Sequence, residues 1–219
     1  MSELRALLLT DVVDSTQLSA ALGDDATAAL WADHDRVARQ LLRSWRGREI
    51  DRSDGFLLLF DNATDAAGCA AAYHRALAQL PVPLVARAGL HVGPVILREN
   101  GPADIALGAK PLEVEGLAKP MVARLAALSA GGRTLLTGAA ASLLGPNTPD
   151  GQVLHRHGHY RFKGIDEPVE VAELASPAAA CEPPADVEKA YRVARVGDLW
   201  RPVRKVRHNL APERDAFIG

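Results

Sequence analysis

An apolar run over residues 4–10 breaks off at Thr10-Asp11, and polar side chains arrive abruptly after Val13. This pattern predicts a buried strand whose C-terminal end presents a carboxylate. Ser15 then stands where an N-cap is needed for a helical segment. A second helix is predicted over 25–43, where Leu30, Val37 and Leu41 share a face flanked by Trp31 and His34. Two short strands, 48–50 and 56–60, enclose the polar turn Asp51-Arg52-Ser53-Asp54-Gly55 and predict a hairpin. Asn62 or Thr64 can cap an alanine-rich helix that runs to about Leu80, where Pro81-Val82-Pro83 ends it.

Residues 84–92 and 95–98 predict a second strand pair around Gly93-Pro94, and 99–110 a loop. A helix over 119–128 stops at Gly131-Gly132, which suits a left-handed cap. Residues 133–137 read as a strand, 139–144 as a short helix and 145–151 as a turn-rich loop. Residues 154–162 and 169–174 then form a hairpin around Lys163-Gly164-Ile165-Asp166. The order β-α-β-β-α-β, elaborated at its C-terminal end, predicts an α+β fold with a ferredoxin-like split βαβ core over residues 1–175. After Ala175 the pattern lapses. Residues 176–184 are rich in Pro and Ala, and Arg201, Arg204, Lys205, Arg207 and His208 crowd together further on. Residues 176–219 are therefore expected as linker and basic tail, with one short helix near 187–194.

Composition narrows the function classes. The 219 residues are 48% hydrophobic and 24% charged with a formal net charge of −2, which argues against a protein that coats nucleic acid or an anionic membrane. Aromatics are 5% of the chain, too few for a base-stacking groove, which disfavours a polymerase-palm-like reading of the same core. The apolar stretches 66–72 and 135–144 are too short or too interrupted to span a bilayer, and the first residues lack a signal-peptide layout. Cys69 and Cys181 are widely spaced and read as a buried thiol and a tail thiol. A cytoplasmic protein without membrane or nucleic-acid partners is the expectation.

Two carboxylates carry the candidate chemistry. In a split βαβ core the first strand and the first hairpin are neighbours, so Asp11 and Asp54 can reach one point. Paired Asp oxygens there suit Mg²⁺ held jointly with substrate phosphates. The segment Val12-Val13-Asp14-Ser15-Thr16 leads into a helix N-terminus, whose free N–H groups can hold a triphosphate. His155, His157 and His159 alternate on one strand, but no fourth ligand is evident nearby, and an exposed sheet face is the better reading.

Five motifs in order then resemble the catalytic domain of the class III adenylyl/guanylyl cyclases. Thr10-Asp11-Val12-Val13-Asp14-Ser15-Thr16 is similar to that family's first metal signature. Gly47-Arg48-Glu49-Ile50 with Asp54-Gly55-Phe56 resembles its second metal motif, and Gly89-Leu90-His91-Val92-Gly93 its G-I-H-x-G turn. Ala123-Arg124-Leu125, ahead of Gly131-Gly132-Arg133-Thr134-Leu135-Leu136, resembles its A-A-R-L helix and following strand. Phe162-Lys163-Gly164-Ile165 with Pro168-Val169-Glu170-Val171 resembles its closing hairpin.

The resemblance implies a head-to-tail homodimer with two sites at its interface. It also implies two divalent cations, Mg²⁺ or Mn²⁺, that promote attack of the ribose 3′-hydroxyl on the α-phosphorus. Asp11 and Asp54 of one chain would hold the metals, and Val12, Ser15, Thr16 and Lys163 the triphosphate. Arg124 of the other chain would neutralise charge on the phosphoryl group.

Departures from the family pattern bear on activity and base choice. Pro120 stands where a ribose-orienting Asn is usual, the first hairpin is one residue shorter, and no lysine occurs near Ile50 and Asp51 to read adenine. Asp51 and Glu113 are the base-side candidates, and two carboxylates there suit guanine as well as adenine. Two readings stay open: a nucleotidyl cyclase, with ATP ahead of GTP, and a weak or inactive nucleotide-sensing dimerisation module. Arg207-His208-Asn209-Leu210-Ala211-Pro212 with Phe217-Ile218-Gly219 resembles the junction before an ATPase module in bacterial regulators, which implies a downstream ATPase or regulatory domain.

Overall fold

The computed structural model describes residues 2–203. Its first half runs β1 (Glu3–Val12), α1 (Ser15–Leu22), α2 (Asp24–Ser44), β2 (Arg48–Arg52), β3 (Phe56–Phe60), α3 (Ala63–Leu77) and β4 (Ala86–Glu99). These four strands lie side by side in the order β4-β1-β3-β2, every pair antiparallel, which is the split βαβ core. The second half adds α4 (Pro102–Ala106), β5 (Leu112–Glu115), α5 (Ala118–Leu128), β6 (Thr134–Thr137), α6 (Gly138–Leu144), β7 (Val153–Phe162) and β8 (Val169–Ala175). β6 joins the core parallel to β4, β8 and β7 follow antiparallel, and β5 folds back on the outer half of β4.

β1 is an apolar run because both of its faces are covered, as in a central strand between two layers. Ala6, Leu8 and Val12 pack with residues of α2, α3 and α6, including Leu30, Ala70 and Ala140. Leu7 turns the other way, toward Val114 of β5 and Ala118 and Val122 of α5. Asn62 caps α3 by accepting from the Asp65 amide. Gly89 is required where α5 crosses β4, since a Cβ there would lie 2.6 Å from the Ala126 amide nitrogen. Cys69 is buried, Cys181 is half-buried, and both thiols are free.

Several sequence expectations are revised. Residues 84–98 do not make a strand pair, because β4 is one continuous strand. Its Pro94 falls between the stretches that pair with β6 (88–90) and with β5 (96–99), so the missing N–H interrupts no ladder on that side. The expected loop 99–110 contains the short helix α4. Asp51 and Arg52 belong to β2 rather than to the turn, and the β2–β3 register carries a bulge between Glu49 and Asp51. Ser15 is not the N-cap of α1: Asp14 holds that place in a left-handed conformation with φ 55°, and Ser15 opens the helix.

The segment expected as linker with a helix near 187–194 instead carries β9 (Ala190–Val196) and β10 (Leu199–Pro202). β9 pairs antiparallel with β7, extending the sheet beyond the seven-strand order β7-β8-β6-β4-β1-β3-β2. Its buried residues are Ala190 and Val193, three apart and so without the two-residue alternation that marks a strand in sequence, and Gly197-Asp198 supplies the tight turn to β10. The basic run from Arg204 and the segment 207–219 lie outside the described residues.

Candidate active site

β1 delivers Asp11 and the β2–β3 turn delivers Asp54 to one cleft of about 540 Å³. The turn is drawn against β1 by a hydrogen bond from the Val12 amide to the Asp54 carbonyl (3.3 Å) and by one from the Phe56 amide to Thr10 Oγ1 (3.0 Å). Gly55 has no substitute here, because a Cβ on it would overlap the Thr10 carbonyl at 1.9 Å. The metal reading of Asp54 depends on its adjacency to Asp11, and the fold supplies that adjacency.

The cleft is also lined by Val12, Val13, Asp14, Ser15, Thr16 and Gln17. The first intrahelical bond of α1 is from the Leu18 amide to the Asp14 carbonyl (2.9 Å), so the amides of Ser15, Thr16 and Gln17 precede it. Such amides carry the positive end of a helix and suit an anion. Ser15 Oγ donates to Asp54 Oδ2 at 2.7 Å. That bond is the main cause holding the Asp54 carboxyl below its usual range, ahead of burial, which pushes the other way. Asp54 is thus ionised wherever a cation would meet it at neutral pH.

Arg87 of β4 also lines the cleft, and it was not singled out in the sequence. Its guanidinium binds Asp11 Oδ2, with Nε at 2.7 Å. The one sequence signal is its place two residues ahead of Gly89. Only the β1–β4 register, which sets Arg87 opposite Asp11, gives it a role.

Arg124 and Lys163 are not in this cleft. Arg124 Nε donates to the Lys163 carbonyl at 3.2 Å, so α5 and the turn after β7 bring these two residues together elsewhere on the chain. The Lys163 amide in turn donates to the Lys189 carbonyl (2.9 Å), which ties that turn to the start of the β9 segment. A single chain therefore presents two groups of candidate residues, an acidic one beside the α1 N-terminus and a basic one.

The base-side candidates occupy a third place. Asp51, on β2, accepts from Lys110 Nζ at 2.5 Å, and this contact is the main cause lowering its pKa. Both side chains are about half exposed, so the pair contributes on the order of 1 kcal/mol or less to stability. Glu113 lies on β5, opposite Arg98 of β4. A lysine is absent from β2 itself, yet the loop after α4 carries Lys110 to Asp51. Pro120 is the third residue of α5, where its missing N–H would in any case have no intrahelical acceptor.

No group of three or more His, Cys, Asp or Glu side chains among the described residues forms a ready-made metal cage. The donor set at Asp11 and Asp54 fits an Mg²⁺-type ion, which takes one or two carboxylates and completes its shell from phosphate oxygens and water. The alternating histidines do not converge on a metal. The bulge at Arg156/Gly158 turns His157 to Glu173, with Nε2 2.8 Å from Oε2, while His159 lies against Trp200 with centroids 4.6 Å apart. No helix among the described residues is long and apolar enough to cross a membrane.

No family model matches the chain. Uncharacterized proteins of Mycobacterium tuberculosis and Mycobacterium bovis are each 32% identical over 174 residues, covering 78% of this chain and 55% of each relative. The chain spans about half the length of the curated relatives it matches. Among solved structures, an adenylate cyclase of Trypanosoma brucei superposes with a TM-score of 0.70 at 20% identity, over 82% of this chain and 92% of that one. The adenylyl cyclase CyaB of P. aeruginosa gives a TM-score of 0.70 at 16% identity, over 83% and 98%. A guanylate cyclase domain from Catenaria anguillulae, in complex with GTP, gives 0.69 at 14% identity, over 80% and 97%. The chain has the fold of the class III adenylyl and guanylyl cyclase catalytic domains.

Proposed function

We propose that this domain is a nucleotidyl cyclase that converts a nucleoside triphosphate, ATP ahead of GTP, into the 3′,5′-cyclic nucleotide and pyrophosphate. The observation that carries the reading is the shared cleft of Asp11, Asp54 and the α1 N-terminus, beside which Arg87 supplies a guanidinium. Carboxylates for a cation and amides for phosphate oxygens are the two halves of a metal–triphosphate site.

In this reading Asp11 and Asp54 hold two divalent cations, Mg²⁺ or Mn²⁺. When bound, the cations lower the pKa of the ribose 3′-hydroxyl and neutralise the phosphates. The amides of Ser15 and Thr16 bind the β- and γ-phosphate oxygens, and Arg87, released from Asp11, adds its charge to theirs. The 3′-oxygen forms a bond to the α-phosphorus as the bond to the bridging oxygen of pyrophosphate breaks, and the hydroxyl proton passes to solvent. Arg124 and Lys163 reach this site from a second copy of the chain, arranged head to tail, so that each dimer holds two composite sites. Their positive charge meets the negative charge that develops on the equatorial and leaving oxygens. Electrostatic stabilisation of that kind carries most of the catalysis of phosphoryl transfer.

Incubation of the protein with Mn²⁺ or Mg²⁺ and each triphosphate, with products identified by mass spectrometry, tests the reading. Cyclic nucleotide and pyrophosphate in equal amounts, lost in Asp11→Asn and Asp54→Asn, is the expected result. Pro120, which cannot donate a hydrogen bond to the ribose, favours a second reading, a nucleotide-sensing dimerisation module attached to a downstream domain. Tight Mn²⁺–ATP binding without any cyclic product would select that second reading. Absence of both binding and product would remove the two together.

A further inference from the structure

Behind the β2–β3 turn lies a set of buried polar side chains that the proposed reaction does not use. His34 of α2 is fully buried. Its Nδ1 is 3.0 Å from Asp35 Oδ1 and its Nε2 is 2.6 Å from Tyr73 Oη. An ionised carboxylate only accepts, so Nδ1 bears the proton and Nε2 accepts from the Tyr73 hydroxyl.

The set reaches the turn at both ends. Asp35 Oδ1 also accepts from Arg52 Nε (3.1 Å) and Nη2 (3.0 Å), and the Arg52 guanidinium lies 5.8 Å from the centre of the Trp31 ring. On the other side Thr10 Oγ1 accepts from the Phe56 amide at 3.0 Å, and Tyr73 packs in the same core cluster as Phe56. The His34 ring stacks on the Phe56 ring itself, 5.4 Å between centroids and 25° between planes. Arg52 is the last residue of β2 and Phe56 the first of β3. The contacts Arg52–Asp35–His34 and the His34–Phe56 stack, with Tyr73 fixing the His34 ring, therefore span the turn of Ser53, Asp54 and Gly55 from end to end.

Holding helices α2 and α3 on the sheet does not need these groups. Leu30, Ala38, Leu42, Ala66 and Ala70 already do so with apolar contacts. A buried imidazole and phenol are costly unless fully satisfied, and once satisfied they fix a geometry more narrowly than apolar packing does. The geometry fixed here is that of the turn bearing a metal carboxylate. We propose that His34 and Tyr73 are positioning residues, which clamp the two ends of the β2–β3 turn and hold Asp54 where a divalent cation needs it. The inference rests on the reading of Asp54 as a metal ligand. The hydrogen bond made directly to the Asp54 carboxylate comes from Ser15, and His34 and Tyr73 act one step further out, on the ends of the turn that carries it.

Tyr73→Phe removes one hydroxyl and keeps the ring. The test measures binding of Mn²⁺ with a non-cyclisable ATP analogue by calorimetry, the electron paramagnetic resonance spectrum of the bound Mn²⁺, and hydrogen exchange over residues 52–56. The expected result is a folded protein in which the turn amides exchange faster, the Mn²⁺ spectrum broadens and affinity falls about tenfold, the usual cost of losing an outer-shell partner. His34→Gln, which can still hydrogen-bond, should retain more affinity than His34→Leu. Should Tyr73→Phe not fold, Asp35→Asn weakens the clamp from its less buried end and is expected to give the same three changes. Wild-type binding with unchanged affinity and spectrum in the folded variant overturns the proposal and leaves the cyclase reading standing. A wild-type protein that binds no Mn²⁺–nucleotide overturns the cyclase reading, and the metal role of the clamp falls with it.

Discussion

Asp11 and Arg87 are direct cross-strand partners on β1 and β4, and the Arg87 Nη2 lies 2.6 Å from Asp11 Oδ2. A carboxylate read as a metal ligand is thus already neutralised by a guanidinium. In the proposed reading a cation would have to displace Arg87, and the freed charge would then lie beside the phosphates that arrive with the metal. The pair is partly exposed, at 37% and 27%, so its strength is modest and exchange is easy.

Arg87→Ala should therefore have opposite effects on two measurements. Affinity for free Mn²⁺ rises about threefold to tenfold, because Asp11 loses a competitor worth about 1 kcal/mol. Affinity for the Mn²⁺–triphosphate complex falls, because a phosphate-binding charge is gone. Calorimetry on both ligands checks this, and a parallel change in the two affinities would refute the exchange.

In the proposed reading base choice would rest on Asp51 and Lys110. The ion pair offers one acceptor and one donor side by side, and the Watson–Crick edges of adenine and guanine can each use both. ATP and GTP should then differ by no more than about tenfold in kcat/KM, or about 1.4 kcal/mol. Lys110→Ala should change that ratio, and competition assays with the two triphosphates would show it. A thousandfold preference in the wild type, untouched by Lys110→Ala, would place base reading elsewhere.

How much of this was legible beforehand depended on range along the chain. Residues 4–10, 56–60 and 119–128 declared their elements because apolar period and local breakers act over a few residues. That Asp11, Asp54, Ser15 and Thr16 share one cleft was legible because strand ends, hairpin turns and helix starts are local features. Arg87 and Lys110 were not, since each acquires its role from a partner 76 or 59 residues away, which only strand register and loop path reveal. β9 was missed because the preceding Pro and Ala residues look like linker. The segment is kept in place by long-range contacts, such as the Tyr160 hydroxyl donating to the Pro184 carbonyl at 2.8 Å.

A second buried cluster gives the fold a pH dependence separate from the site. Glu173 is 4% exposed and accepts from Arg133 Nε at 2.8 Å, while His157 Nε2 is 2.8 Å away. Burial alone would raise its pKa, but the hydrogen bonds from His157 and Arg133 more than offset it and hold the carboxyl down to about 2. The folded pKa is below the ordinary 4.5, so the folded protein binds this proton less readily than the unfolded chain. The stabilisation is complete above pH 4.5 and is lost as pH falls from there through about 2. Urea unfolding at a series of pH values should show that acid limb. Glu173→Gln should flatten it and cost on the order of 3 kcal/mol at neutral pH, since Arg133 is left uncompensated. An identical acid limb in the variant would assign it to other carboxylates.

The separation of Arg124 and Lys163 from the Asp11–Asp54 cleft gives the most demanding test. If each site takes its carboxylates from one chain and Arg124 from the other, a homodimer of Asp54→Ala is inactive at both sites, and so is one of Arg124→Ala. A mixed dimer collects both lesions in one site and leaves the second with every group intact. Two inactive proteins, mixed under conditions where chains exchange, should thus regain activity. Random pairing makes about half of the dimers mixed, each with one sound site, so recovery approaches about a quarter of the wild-type rate, a level set by two-fold symmetry alone. Where turnover is too low to follow, Mn²⁺–nucleotide binding carries the same test with a smaller signal, because Arg124 acts chiefly in the transition state. Tagged-chain pull-down establishes that exchange has occurred. Exchange without recovery would mean that one chain completes its own site, and that Arg124 meets the carboxylates by a rearrangement of α5 instead of by dimerisation.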